Sequence, residues 1–292
     1  MKHTPKITTY LIILFLLSQF IGLFVVQQYI TTDNLGNRIL EQDANTQDIP
    51  KEQSIYYMAA AIAMGTVFFF ILNKYKLFNV WKFMFIFAAI ITMNKSFQPF
   101  IGASALGVAS VLAIWKVFKP NIFIHNFTEL FIYGGLAAIF APLLNITRAS
   151  ILLILISIYD MYAVWKSKHM IKLAEFQKES KVFAGLYIPS AAPVAPTTTK
   201  TSNKKTASKT TTKKVKQVRV QSAILGGGDI GFPLMFAAVF LPTYGLTTLI
   251  IPVTTTIALY TLFYKAQQGK YYPAMPFLSI GAFIGAAIVL LI

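Results

Sequence analysis

The chain has 292 residues, 56% apolar and 12% charged, with a formal net charge of +16 and a mean hydropathy of +0.62. Soluble domains average about 45–50% apolar and about 25% charged residues, so these proportions exclude an ordinary soluble domain and indicate a chain surrounded mostly by lipid. The absence of cysteine rules out disulfides, iron–sulfur clusters, zinc–thiolate sites and a cysteine nucleophile.

Crossing a bilayer takes about 20 mostly apolar residues. Nine stretches qualify: 7–30, 54–72, 79–94, 99–115, 128–147, 150–166, 219–240, 242–265 and 271–292. The expected fold class is all-α, a polytopic membrane protein with nine transmembrane helices. The first stretch is too long for a signal-peptide core and lacks a small-residue cleavage site, so it reads as a retained helix. The loop Thr31–Gln53 carries Asp33, Glu41, Asp43, Asp48 and Glu52 and is expected to be only partly ordered. Spans three and four are separated only by Asn94–Gln98. Ser104, within Gly102-Ala103-Ser104-Ala105, reads as small-residue helix packing. Glu129, near the start of span five, reads as a headgroup-level carboxylate at a helix N-terminus.

The chain divides into 1–166 (spans one to six), a basic loop at 167–218, and 219–292 (spans seven to nine). Within the loop, Lys168–Lys181 could form a short amphipathic surface helix. Thr197–Lys216 is almost entirely Thr, Lys and Ser and cannot bury a core, so disorder is expected there. The loop suits contact with anionic lipid. Nucleic-acid binding is not expected, because no aromatic residues alternate with the lysines.

Basic residues orient the spans. With a cytoplasmic N-terminus, the outer segments hold only Arg38, Lys51, Lys95 and Arg148 of the 26 lysines and arginines. This is a strong positive-inside asymmetry. Trp81, Trp115 and Trp165 fall at predicted inner ends, where an amphipathic ring suits the headgroup layer. The basic loop is then cytoplasmic, and an odd number of spans puts the C-terminus outside.

Of ten acidic residues, two lie inside otherwise apolar spans: Asp160 in span six and Asp229 in span seven. An Asp at the bilayer centre costs about 2.5–3.5 kcal/mol even on a mild scale, and such residues by default mark function. No Lys or Arg lies deep in any span to pair with them. Asp160 is six residues before Lys166, and Asp229 six beyond Ala223. At the helical rise both carboxylates sit roughly 9 Å below the inner surface, on antiparallel spans. Two carboxylates a few ångströms apart in a low dielectric cannot both ionise and share one proton. Such a pair can hydrolyse a peptide bond: one member takes a proton from water while the other hydrogen-bonds the scissile carbonyl.

The flanks fit a worked site. Gly226-Gly227-Gly228 precede Asp229 and let another backbone approach closely. Tyr159 precedes Asp160. Span nine opens Tyr272-Pro273-Ala274-Met275-Pro276, where two prolines disfavour regular helix. Irregular backbone at membrane depth is tolerated where it is buried in protein or lines a wet cavity.

Together these residues resemble the presenilin and signal peptide peptidase family of intramembrane aspartyl proteases, and look closest to its prokaryotic presenilin homologues. Tyr159-Asp160 resembles the family's YD motif, Gly226-Gly227-Gly228-Asp229 its GxGD motif, and Pro273-Ala274-Met275 its PAL motif with Met for Leu. The resemblance implies Asp160 and Asp229 as catalytic residues, with Tyr159, Gly226, Gly227 and Gly228 in support. It implies that Pro273, Ala274 and Met275 shape the site and hold substrate. The implied substrates are single transmembrane segments that unwind for cleavage, and an extended substrate could add by backbone bonding to edges near span seven. No cofactor or metal is implied, and accessory subunits are not expected to be required.

Inventory excludes the other membrane-embedded proteases. A serine type needs an intramembrane His, and His3, His125 and His169 all fall outside the predicted spans; a zinc type lacks its ligands. The alternative from another class is an ion channel or proton-coupled transporter that uses the two aspartates as a relay.

Overall fold

The computed structural model describes residues 5–41, 53–167, 180, 182–190, 221–266 and 272–292. The surface helix expected at Lys168–Lys181, apart from Ser180, and the disorder expected at Thr197–Lys216 lie outside these residues. Long helices dominate: α1 (Pro5–Gln27), α2 (Ser54–Lys74), α3 (Phe78–Ile101), α4 (Ala105–Phe118), α5 (Ile122–Phe140), α6 (Ile146–Tyr162), α7 (Gly227–Tyr244), α8 (Ile250–Lys265) and α9 (Met275–Leu291). By length and apolarity, six segments can cross a membrane, α3–α4 and α7–α8 each counting as one; α9 is a shorter apolar helix.

Helix α7 is the axis of the bundle. Every residue from Ile230 to Pro242 except Phe232 is buried, as expected of a helix apolar on all sides. Around it pack α1, α5, α6, α8 and α9. Helices α8 and α9 pack closely along small residues, with Gly281 and Gly285 set directly against the backbone of Thr254, Thr255 and Ile251. Van der Waals fit of this kind replaces the hydrophobic drive that lipid removes. Helix α2 is the loosest member. Only 17% of its most apolar window is buried in protein, and it touches α3 and α6 sparsely.

The α3–α4 break differs from expectation. Asn94–Gln98 are helical, and the chain turns instead at Gly102–Ser104. Gly102 adopts φ 56°, a conformation that costs an L side chain but not glycine. The polar residues stay helical because they have partners in protein: buried Ser96 donates to the Phe131 carbonyl, and the Lys95 ammonium lies 4.2 Å from the Tyr29 ring centroid. Gly245, at φ 57°, breaks α7 from α8 in the same way.

Two antiparallel ribbons interrupt the helices. In the loop after α1, β1 (Ile30–Thr32) pairs with β2 (Arg38–Leu40). The connecting turn is organised by Asp33, which accepts from the amides of Leu35 (2.9 Å) and Asn37 (2.8 Å). The Asn37 amide, chiefly, holds the Asp33 carboxyl below the ordinary carboxylate range. A depressed carboxyl stabilises above its unfolded range and loses that contribution as pH falls through its folded one. Acidification should therefore loosen this hairpin, seen as lower amide protection factors, relative to the intrinsic rate at each pH, at Leu35 and Asn37. The second ribbon pairs β3 (Gly185–Ser190) with β4 (Gln221–Gly226), Gly185 opposite Gly226.

The start of span seven is therefore a strand and not a helix. Ala223 and Leu225 point inward and Ile224 outward, the two-residue alternation of a strand. Asp229 falls in the first turn of α7. The six residues from Ala223 to Asp229 thus do not convert into helical depth as the sequence alone suggests.

Helix α6 begins at a side-chain cap: Asn145 Oδ1 accepts from the Arg148 amide at 2.8 Å. Replacing an Asn cap with Ala costs about 1 kcal/mol. Asn145→Ala should lower the thermal midpoint of the detergent-solubilised protein modestly.

Candidate active site

Asp160 lies two residues before the end of α6, 8% exposed. Its Oδ2 accepts the Met275 amide at 3.1 Å, and the Ala274 amide bonds to the same carboxylate. The sequence accounts for this directly. A helix start leaves amides without intrahelical partners, and at the start of α9 Pro273 and Pro276 supply none. A buried carboxylate on α6 caps the two that remain exposed there, where the helix dipole also favours negative charge. One helical turn earlier, Ser157 Oγ and Ser279 Oγ hydrogen-bond at 2.7 Å, a second buried tie between α6 and α9.

Asp229 is half-buried. It accepts the Gly226 amide and interacts electrostatically with Asp160. The glycines before it are spatially constrained. Gly226 caps α7 in an extended conformation, and a Cβ on Gly227 would lie 2.8 Å from Tyr133 Oη. Gly227→Ala should push that buried, Glu129-bound phenol aside and lower both activity and stability; initial rates beside thermal midpoints would check this.

The structure thus brings together Asp160, Asp229, Gly226, Ala274 and Met275. Pro273 is buried in the irregular lead-in to α9. Gly228 is exposed beside Phe232. Tyr159 turns elsewhere: its hydroxyl is 3.3 Å from Thr66 Oγ1 on α2.

Two sequence expectations need correction. Glu129, read as a headgroup-level carboxylate, and Lys116, the residue after predicted span four, form an ion pair buried in protein, 1% and 4% exposed. Lys116 also donates to Thr128 Oγ1 at 3.1 Å and lies 5.4 Å from the Phe85 ring centroid. Glu129 accepts from the Tyr133 hydroxyl and, at 3.1 Å, from the Gly185 amide. The Glu129/Tyr133 spacing of four residues was a readable helix-face pair; the pairing with Lys116 across two helices was not. His125, placed outside the spans, lies in the first turn of α5, where its Nε2 meets the Gly185 carbonyl at 2.8 Å. Among the described residues, Lys116–Glu129 is the ion pair formed, and no Lys or Arg joins the two aspartates.

A multi-pass helical membrane protein with two interacting carboxylates at the facing ends of adjacent helices belongs to the class of intramembrane acid-pair proteins. Over residues 12–292 the chain matches the family described as signal-peptide peptidase, presenilin aspartyl protease. It belongs to that family and is an intramembrane aspartyl protease. Two solved structures of a presenilin family intramembrane aspartate protease share its fold. One, in space group C222, is 18% identical with a TM-score of 0.58, covering 95% of this chain and 94% of the other. The second, in space group P2, is 17% identical with a TM-score of 0.60, covering 96% of each. No curated protein matches the chain.

Proposed function

We propose that Asp160 and Asp229 are the catalytic pair, hydrolysing peptide bonds within transmembrane segments of membrane proteins by general acid/base activation of water. The observation that carries this reading is their placement at the adjoining ends of α6 and α7, within electrostatic reach of each other, without a cationic partner among the described residues. Opposed acids without a counter-ion hold one shared proton between them, which is the state that can both accept a proton from water and donate one to the departing amine.

Pro273, Ala274 and Met275 form the wall that positions substrate; Gly226, Gly227 and Gly228 support the site directly, and Tyr159 supports it indirectly by tying α6 to Thr66 on α2. An unwound substrate strand adds to the edge of β4 that pairs with no other strand among the described residues. The support is that side chains of α5 take up the other edge of the ribbon: Asn126 exchanges bonds with Tyr187 at 2.8 and 3.0 Å, and His125 and Glu129 hold Gly185. Strand addition supplies backbone bonds to whatever sequence enters.

In this reading the nine helices among the described residues are nine spans. The N-terminus and the 167–218 loop are cytoplasmic, the C-terminus lies outside, the basic loop meets anionic lipid, and no accessory subunit is required. The test is purified protein in liposomes with a synthetic single-span peptide, its products weighed by mass spectrometry. Cuts inside the apolar segment are expected. An intact peptide together with ion flux would favour a channel or transporter instead.

A further inference from the structure

We propose that Glu129 is a positioning residue for Asp229, holding the start of α7 in place from two directions; this rests on Asp229 being catalytic. One Glu129 oxygen binds the Lys116 ammonium, and the other accepts from both Tyr133 and the Gly185 amide. The bonds made by this second oxygen both lead toward α7.

The first route runs through the ribbon. Gly185 opens β3 and lies opposite Gly226, the residue that caps α7. The adjoining Gly227 amide donates to the Ala184 carbonyl at 3.2 Å. The Gly185 backbone is gripped at both its polar groups, its amide by Glu129 and its carbonyl by His125. The residue also has no room to move toward β4, since a Cβ there would sit 2.2 Å from the Leu225 carbonyl oxygen. Fixing Gly185 on α5 therefore fixes Gly226, three residues before Asp229.

The second route is direct. Tyr133 is buried, its phenol fastened by Glu129, and it packs against Gly227 within electrostatic reach of Asp229. A carboxylate that binds one partner on the ribbon and another on the helix start sets the angle between them.

Energetics favour a positional role over a stabilising one. A fully buried ion pair is commonly no better for stability than apolar side chains of similar volume, because desolvation offsets the Coulomb attraction. Loss of one partner alone is far worse, so the test removes both.

Lys116→Met combined with Glu129→Leu keeps the volume and removes every bond made by the Glu129 carboxylate and the Lys116 ammonium. On the synthetic single-span peptide in liposomes, kcat is expected to fall about tenfold or more, with KM changed less than about twofold and the cut positions spread over neighbouring bonds. The thermal midpoint should fall only modestly, by the cost of leaving the Tyr133 hydroxyl and the Gly185 amide without their acceptor. Lys116→Met with Glu129→Gln restores an acceptor for the Gly185 amide and should recover most of kcat and the original cut positions. Unchanged kcat and cut positions in the Met/Leu double variant would overturn the proposal. If that variant does not fold, Asn126→Ala, which frees β3 at Tyr187 alone, decides: broadened cut positions support the proposal and an unaltered pattern overturns it. Asp229→Asn in the same assay separates the two readings. Cleavage that survives there overturns both, whereas its loss there beside normal cleavage by the Met/Leu variant overturns the positioning role alone.

Discussion

Asp160→Asn and Asp229→Asn should each abolish peptide cleavage while leaving the protein folded. Removing a general acid or base costs about 10²–10⁴-fold in rate, and here each member is needed in both the accepting and the donating role. Asparagine cannot take up or release the shared proton. It keeps the shape and a carbonyl oxygen, so in Asp160→Asn the substituted side chain can still accept the Met275 amide that Asp160 accepts now. The cap on α9 survives, and the thermal midpoint should move little. Product masses from reconstituted protein would measure the loss; residual cleavage within about tenfold of the original in either variant would refute the catalytic pair.

Gly135→Ala should have the largest effect on stability. A Cβ on Gly135 would fall 1.7 Å from the Thr92 carbonyl oxygen and 3.0 Å from Ser96 Oγ. The obstruction is backbone of α3, which cannot rotate away as a side chain can. The two helices must separate, breaking the bond from Ser96 to the Phe131 carbonyl and opening the packing around Met93. Overpacking typically costs about 1–3 kcal/mol and occasionally more; this site belongs at the upper end. Gly65→Ala on α2 is the matched control, since nothing lies within 4 Å of its added methyl, and Ala is the better helix former by about 1 kcal/mol. Denaturation of both variants in detergent should place Gly135→Ala well below the parent and Gly65→Ala at or above it.

The aspartates were legible in the sequence because acids within apolar stretches are few and expensive, so position alone singles them out. The helices were legible from hydropathy. The second ribbon was not, since Ala223-Ile224-Leu225 reads as the continuation of an apolar span. Only pairing with Gly185–Ser190, across a long basic stretch, turns it into a strand. The α3 break was misplaced for the opposite reason: Asn94–Gln98 look like a loop until Phe131 and Tyr29 supply their partners. Lys116 and Glu129 look like surface charges for as long as each is considered alone. What hydropathy cannot convey is polarity that is satisfied inside the protein, and it is there that the structure departs from the reading.

Asp160 closes the amino end of α9. A neutral carboxyl group accepts hydrogen bonds more weakly than a carboxylate, so each proton gained at position 160 slackens the seat of the terminal helix, and each proton lost tightens it. Turnover would then be accompanied by a small mechanical cycle at Ala274–Met275, a rhythm that amide-proton spectroscopy could follow.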